Sequence, residues 1–164
     1  MNRTFHTITA LLALQAQNIQ AVTVDAEASD YAGLQFGYGK GTFIFRQAKI
    51  TPKKAGAFVT FWKRDAQQQT VPYQDSDDFD YYMILIQEGE QLGLFLFPKQ
   101  VLIAQKYVSS AHREGKRGFR IYPPALQNLN TQASKTQRWQ SAYYYDLHTD
   151  DRLHVAKVFA QLLD

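Results

Sequence analysis

The chain has 164 residues, of which 45% are hydrophobic and 20% are charged, and its formal net charge is +3. This length corresponds to about one domain, and this composition supplies enough apolar side chains for a buried core. The absence of cysteine excludes a disulfide scaffold, a cysteine zinc site, an iron–sulfur cluster and a thiol nucleophile. No apolar run approaches the roughly 18 residues that a membrane helix requires. We therefore predict a single cytoplasmic domain over residues 1–164, with no membrane partner.

The N-terminal segment has the spacing of an amphipathic helix. Its apolar side chains include Phe5, Ile8 and Leu12, which recur at three- and four-residue intervals. Thr4 precedes them as a candidate N-cap. The pattern favours a helix over a secretory leader.

The middle of the chain reads as a series of strands separated by turn signals. The glycines at 37, 39 and 41 suit a tight hairpin turn, and prolines end several of the other segments. One segment is apolar on both faces, which is typical of a central strand. The predicted strands are YAGLQFGYGKGTFIFRQAKI, AFVTFWKR, FDYYMILIQ, GLFLFPKQVLIA and GFRIYPP, and FDYYMILIQ is the predicted central one.

Two helical patterns close the chain. The segments TQASKTQRWQSAYY and DDRLHVAKVFAQLL both carry apolar residues at helical spacing. Together with the strands, they predict an α+β fold with a central, mostly antiparallel sheet of five or six strands. The sheet is flanked by the N-terminal and C-terminal helices.

The charged residues are distributed in blocks. Residues 40–64 contain seven bases and no acid, residues 99–138 contain eight bases and one acid, and residues 75–90 contain six acids and no base. Basic blocks of this kind attract polyanions when they form one surface. The alternative is that the blocks are the ordinary solvated faces of separate elements.

The strongest local signal is the run FRQAKITPKKAGAFVTFWKR, in which bases alternate with aromatic residues such as Trp62. This combination suits contact with the backbone of DNA or RNA together with base stacking, although the aromatic residues also suit a core. Arg120 has the alternative of an ion pair with Asp78 or Asp80, and Gln132, Lys135 and Gln137 are polar enough to line a groove. The predicted nucleic-acid contacts are Arg46, Lys49, Lys53, Lys54, Lys63, Arg64, Lys116, Arg117 and Arg120.

Six segments between Glu27 and Leu147 form a distinctive combination. They are EASDYAGLQF, FRQAKITPKKAGAFVTFWKR, DFDYYMILI, GLFLFPKQVL, GKRGFRIYPP and QASKTQRWQSAYY, and the stretches AKITPKK and KTQRWQ are the most distinctive. Together they resemble the MepB family of small bacterial proteins. The resemblance implies one family domain, and it brings with it no particular reaction or ligand.

A second function, that of a nuclease with a restriction-endonuclease-like fold, is suggested by Gln47-Ala48-Lys49. Such enzymes place an acid near one strand, and Glu or Gln, any residue and Lys on the next, so that carboxylates hold a divalent metal. Gln47 and Lys49 have the spacing that puts two side chains on one face of a strand. Glu27 and Asp30 are the nearest acids upstream, and no acid lies between Tyr31 and Arg46. In this hypothesis Glu27, Gln47 and Lys49 are the candidate catalytic residues and Mg²⁺ is the cofactor.

A third function is that of a protein-interaction module that uses the acidic loop of residues 75–80. This loop does not match a calcium site, because its sixth position is Asp80 and its twelfth is Ile86. We favour the first hypothesis, a non-enzymatic nucleic-acid-binding module with no metal and no cofactor. That hypothesis requires the two basic blocks to meet in space.

Overall fold

The structure, a computed structural model, describes residues 3–164. Within these residues the chain forms four α-helices, eleven strands and three short 3-10 helices. In chain order the elements are α1 (Arg3–Leu11), β1 (Ile19–Val24), β2 (Leu34–Tyr38), β3 (Gly41–Gln47), β4 (Lys49–Ile50), β5 (Ala57–Thr60), β6 (Trp62–Arg64), β7 (Thr70–Pro72), β8 (Tyr81–Glu88), β9 (Gln91–Pro98), α2 (Lys99–Ala104), β10 (Gly118–Ile121), α3 (Thr131–Gln140), β11 (Tyr144–Asp146) and α4 (Asp151–Gln161). The 3-10 helices are Ala16–Asn18, Ala26–Tyr31 and Ser141–Tyr143.

The centre of the fold is a six-stranded sheet in the order β1-β2-β3-β8-β9-β11. Only β3 and β8 are parallel, and the other neighbouring strands are antiparallel. β8 lies in the interior of the sheet and residues 82–86 of it are buried, as its apolar sequence on both faces predicts. The α+β prediction, with a mostly antiparallel central sheet, is confirmed.

Helices α1 and α4 cover one face of this sheet. Phe5 of α1 and Phe159 of α4 are fully buried against strand residues such as Phe43 and Phe45. The ring centroids of Phe43 and Phe159 lie 4.7 Å apart in a stacked arrangement. The predicted N-terminal helix is confirmed, and its apolar residues face the sheet. Thr4 lies inside the helix and is not its N-cap.

The glycine-rich turn between β2 and β3 packs against the end of α4. Gly39 has φ +55°, and a Cβ atom there would lie 2.2 Å from the carbonyl oxygen of Leu162. The amide of Lys40 donates to the same oxygen at 2.8 Å. Glycine is therefore required both for the left-handed backbone and for the close approach of the helix.

A second layer covers the opposite face of the central sheet. It contains a three-stranded antiparallel sheet in the order β10-β5-β4. Ala57 and Val59 of β5 point into the core between the two sheets, together with Phe119 and Ile121 of β10. Helices α2 and α3 pack beside this small sheet, where Leu102 and Trp139 contact the same core.

Several elements differ from the sequence prediction, and β1 and β7 lie in segments for which no strand was predicted. The segment AFVTFWKR forms two strands, β5 and β6, in different sheets. The residues after Pro98 form α2 and not the end of a strand. The residues after α3 form the edge strand β11, which pairs with β9. Of the helices in residues 3–164, none is both long and apolar enough to cross a membrane.

A basic cleft as candidate functional site

The two basic blocks of the sequence meet at one cleft. β5 pairs with β10, and Phe58 lies opposite Arg120 in this pair. The pairing places the turn between β4 and β5 beside β10, although the two are separated by more than 60 residues in the chain. Lys53 and Lys54 from the first block and Lys116 and Arg120 from the second line a single open cleft of about 710 Å³.

Arg120 holds the turn that carries Lys53 and Lys54. Its Nη2 donates to Thr51 Oγ1 at 2.6 Å and to the carbonyl oxygen of Ala55 at 2.9 Å, and its Nε donates to the same carbonyl at 3.0 Å. The guanidinium therefore holds the turn through the Thr51 side chain before the two lysines and through the Ala55 carbonyl after them.

The ion pair of Arg120 with Asp78 or Asp80 is a wrong expectation. Arg120 lies on β10 and its guanidinium is directed toward the β4–β5 turn. Asp80 instead accepts from the backbone amide of Thr42 at 2.9 Å and from the Thr42 hydroxyl at 3.2 Å. Asp80 thus joins the start of β8 to the start of β3.

Helix α3 forms the other wall of the cleft. Asn130 caps the helix, since its side-chain oxygen accepts from the amide of Ala133 at 2.8 Å. At the far end, the fully buried Gln140 donates from Nε2 to the carbonyl oxygen of Arg120 at 3.0 Å and accepts at Oε1 from the amide of Tyr122 at 2.9 Å. Gln140 therefore binds α3 to the edge of β10. The residues that this wall contributes to the lining are Asn128, Leu129, Asn130, Gln132, Ala133 and Thr136.

Aromatic rings line the cleft between the cations. Phe58 is half-buried on the outer face of β5, whereas its neighbours Ala57 and Val59 are fully buried. The Nζ of Lys116 lies 5.1 Å from the ring centroid of Tyr107. The pKa of Tyr107 is raised to about 12, chiefly by burial and in smaller part by the nearby Tyr122, while a hydrogen bond with Gln140 opposes the rise. The Tyr107 hydroxyl therefore stays protonated at neutral pH.

The positive charge of the cleft is not balanced by carboxylates. Its lining contains four cationic side chains and no Asp or Glu. In residues 3–164, the ion pairs formed with carboxylates involve none of these four cations. Lys53, Lys54 and Lys116 are exposed, so their ammonium groups are available to an anion from solution.

The other five predicted contacts lie outside the cleft lining, and each of them is paired with a carboxylate. An ion pair reduces the attraction of a cation for a second anion, because the carboxylate competes for the same charge. The pairs are Arg46–Asp25 at 2.7 Å, Lys49–Asp30 at 3.6 Å, Lys63–Asp77 at 2.6 Å, Arg64–Glu27 at 2.6 Å and Arg117–Glu114 at 3.1 Å.

The prediction that Arg46 contacts nucleic acid is wrong. The residue is 1% exposed, because strand alternation places it with Ile44 on the face of β3 that is covered by the second layer. Its Nη2 donates to Asp25 Oδ2 at 2.7 Å and its Nη1 donates to the carbonyl oxygen of Phe45 at 2.8 Å. Its Nε is buried without a hydrogen-bond partner. A phosphate on the surface cannot reach this guanidinium.

The three candidate nuclease residues have separate partners. Gln47 Oε1 accepts from the hydroxyl of Thr4 in α1 at 3.3 Å. Lys49 pairs with Asp30, and Glu27 pairs with Arg64. The expectation that Gln47 and Lys49 share a face is wrong, because the chain leaves the central sheet after Gln47 and the two residues belong to different sheets.

Within residues 3–164 there is no group of three or more His, Asp and Glu side chains that could hold a metal ion. The acidic loop of residues 75–80 uses two of its carboxylates internally. Asp77 accepts from Lys63 at 2.6 Å and from the amide of Gln74 at 2.7 Å, and Asp80 binds Thr42.

Sequence reasoning found part of the lining and missed the rest. Gln132 lines the cleft as expected. Gln137 does not, because its Nε2 donates to the carbonyl oxygens of Pro123 at 2.9 Å and of Leu126 at 3.0 Å. Phe58 and Tyr107 were not singled out for this site. The only sequence signal for Phe58 is its place between two small or β-branched residues, which puts it on the opposite face of the strand.

Comparison with known proteins agrees with the sequence resemblance. A profile of the MepB-like family matches residues 25–146. Among solved structures, the crystal structure of MepB is similar to this chain with a TM-score of 0.80 and 32% sequence identity, over 91% of this chain and 99% of that one. A search of curated proteins found no match. The profile match covers most of the chain, including both walls of the cleft, and on this evidence the chain belongs to the MepB-like family.

Proposed function

We propose that this protein binds nucleic acid through the basic cleft and does so without catalysis. The observation that carries the proposal is the convergence of Lys53, Lys54, Lys116 and Arg120 on one open surface. These residues come from both basic blocks, so the condition that the sequence hypothesis requires is met.

The physical basis is the release of counterions from a polyanion. Lysine and arginine side chains that neutralise phosphates displace condensed cations, and this release favours binding at low salt. The lining contains no carboxylate that would repel a phosphate. The half-buried aromatic ring of Phe58 lies among the cations, and an aromatic ring beside cations is typical of surfaces that bind nucleic acid without strong sequence preference.

The first test is the salt dependence of binding. Fluorescence anisotropy with labelled DNA and RNA, measured between about 50 and 200 mM salt, gives the slope of log K against log salt. Replacing Lys53 and Lys54 by Ala removes two phosphate contacts. We expect the double variant to bind more weakly and its slope to be shallower by about 1.4 for single strands or about 1.8 for duplexes.

The matched control is the double variant Arg152→Ala and Lys157→Ala. Both residues are exposed on α4, which covers the opposite face of the central sheet, and the change in net charge is the same. The control should retain the slope of the unmodified protein. An equal loss in both variants would mean that net charge and not the cleft drives binding. Cleavage of the labelled strand in the presence of Mg²⁺ would contradict the non-catalytic part of the proposal.

A further inference from the structure

The aromatic side chains of the cleft indicate whether its ligand is single-stranded or double-stranded. We infer that the cleft accepts an unpaired nucleotide, so that the ligand class is single-stranded and not double-stranded nucleic acid. This inference rests on the proposed function and specifies it. It is carried by two aromatic side chains, Phe58 and Tyr122, that line the same cleft as the four cations.

Phe58 presents an apolar ring where the strand faces outward. Its cross-strand partners are Arg120 on β10 and Lys49 on β4, so cations flank it on both sides. A Cβ atom on Gly118 would lie 2.6 Å from Phe58 Cζ. Because Gly118 has no side chain, the Phe58 ring can lie across β10 at this position.

Tyr122 provides a second aromatic ring. It directly follows β10, whereas the Phe58 ring lies at Gly118, where β10 begins. A Cβ atom on Gly56 would lie 2.8 Å from Tyr122 Cδ1, so the ring lies against the turn that carries Lys54. Tyr122 is half-buried, and its backbone is held by Gln140 at 2.9 Å. Both rings therefore occupy fixed positions in the cleft lining.

Only an unpaired base can use these rings. In a duplex the bases are stacked on each other and expose their edges in the grooves, whereas their faces are covered. The rings lie in a concave cleft between α3 and the β4–β5 turn, while the phosphates of a duplex lie on its outer surface. A single strand can place a base on Phe58 or Tyr122 while its phosphates contact Lys54, Lys116 and Arg120.

The experiment compares three labelled DNA ligands of equal phosphate number at one salt concentration. They are a single strand of about 12 nucleotides, a duplex whose two strands are joined by a linker without bases, and an abasic strand that keeps the phosphates without the bases. We expect the single strand to bind at least about fivefold more tightly than either of the others, since stacking contributes at least this factor per base. Equal binding of the duplex or of the abasic strand would overturn the inference.

The variants Phe58→Leu and Phe58→Tyr separate stacking from charge. Leucine keeps an apolar side chain on the small sheet but has no aromatic face, so the preference for the single strand should fall at least about fivefold. Tyrosine keeps the face and should retain the preference. If Phe58→Leu does not fold, as judged by circular dichroism, Tyr122→Leu is measured against Tyr122→Phe in the same way.

The two proposals fail differently in this design. If the unmodified protein binds none of the three ligands at low salt, the proposed function itself is wrong. If it binds all three with similar affinity, and if that affinity falls as salt rises, the basic cleft binds phosphate backbones and only the inference about unpaired bases is wrong.

Discussion

Arg46 and Lys54 carry the same charge in opposite environments. Arg46 is buried beside Asp25 under the 3-10 helix Ala26–Tyr31, where a Cβ atom on Gly33 would lie 3.0 Å from its Nη1. Lys54 is exposed at the cleft. A buried guanidinium without a counterion is costly, so Arg46 requires its ion pair with Asp25. Because Asp25 lies in the segment before β2, this ion pair holds that segment onto the central sheet.

Removing the Asp25 carboxylate should therefore destabilise the fold. We expect Asp25→Ala to lower the free energy of unfolding by about 3 kcal/mol, because the buried Arg46 loses its counterion. Asp25 also accepts from the amide of Glu27 at 3.1 Å, and this cap is lost as well. Urea denaturation gives the free energy by linear extrapolation.

The control is Glu27→Ala, which breaks the pair with Arg64. Both side chains of that pair lie at the surface, with exposures of 48% and 37%, so the expected loss is below about 1 kcal/mol. Similar losses in both variants would contradict the structural role of Arg46.

A local sequence pattern predicts whether a charged residue is exposed only where the pattern itself marks a turn. The two lysines at 53 and 54 follow a proline in a turn, and turns are exposed, so their availability was predictable. Arg46 lies on a strand that is apolar on both faces, and its partner Asp25 is 21 residues away. No local pattern relates these two residues, because the contact depends on how β1 and β2 fold back along β3.

At the scale of elements, the pairing of β5 with β10 and the docking of α3 create the cleft. Gln140 is the side chain that joins α3 to β10, through the carbonyl oxygen of Arg120 and the amide of Tyr122. It is 0% exposed, so water does not replace these hydrogen bonds if the side chain is changed.

We expect Gln140→Leu to be destabilising although leucine has a similar volume. Two partly buried backbone groups lose their partners, and each loss costs up to about 1–3 kcal/mol. The variant should also protect the Tyr122 amide less from hydrogen exchange, because that amide donates to the Gln140 side chain. Gln132→Ala is the control, since Gln132 is exposed on the same helix. An unchanged free energy of unfolding in Gln140→Leu would contradict this account.

The predicted elements are most accurate where the pattern is long and regular. β8, β9, α3 and α4 were predicted because each has a sustained apolar period. Helix α2 was missed, since it has six residues of which only the last four are apolar, and so short a segment has no period that separates it from the preceding strand. β11 was missed because three residues acquire strand geometry only by pairing with β9, a contact that local propensity does not encode.

At the scale of the whole molecule, the two faces of the central sheet differ in what covers them. The face covered by α1 and α4 is closed by aromatic packing, and the other carries the small sheet and the cleft. The α+β class and the central sheet followed from the order of elements. The meeting of the basic blocks did not, because it depends on the pairing of strands that are about 60 residues apart.

Both layers bury tyrosines, and this makes the fold sensitive to alkaline pH. Burial is the largest cause that raises the pKa of each of five tyrosines above the ordinary value of 10.0. These residues are Tyr73, Tyr82, Tyr107, Tyr144 and Tyr145. In the unfolded chain these groups lose their protons near pH 10, whereas the folded protein retains them to a higher pH. The unfolded state therefore binds fewer protons above about pH 10, and stability falls as pH rises.

We expect the free energy of unfolding to be insensitive to these tyrosines below about pH 9 and to fall steeply between about pH 10 and pH 12. Tyr107, whose pKa is raised to about 12, contributes across that whole window. Tyr107→Phe should make this decline shallower, because it removes up to one proton from the difference in bound protons between the folded and unfolded states. A phenyl ring does not titrate. Urea denaturation across this pH range, together with tyrosinate absorbance, measures both effects. A free energy of unfolding that stayed constant through about pH 11 would show that the buried hydroxyls ionise without cost, against the desolvation on which their raised pKa values depend.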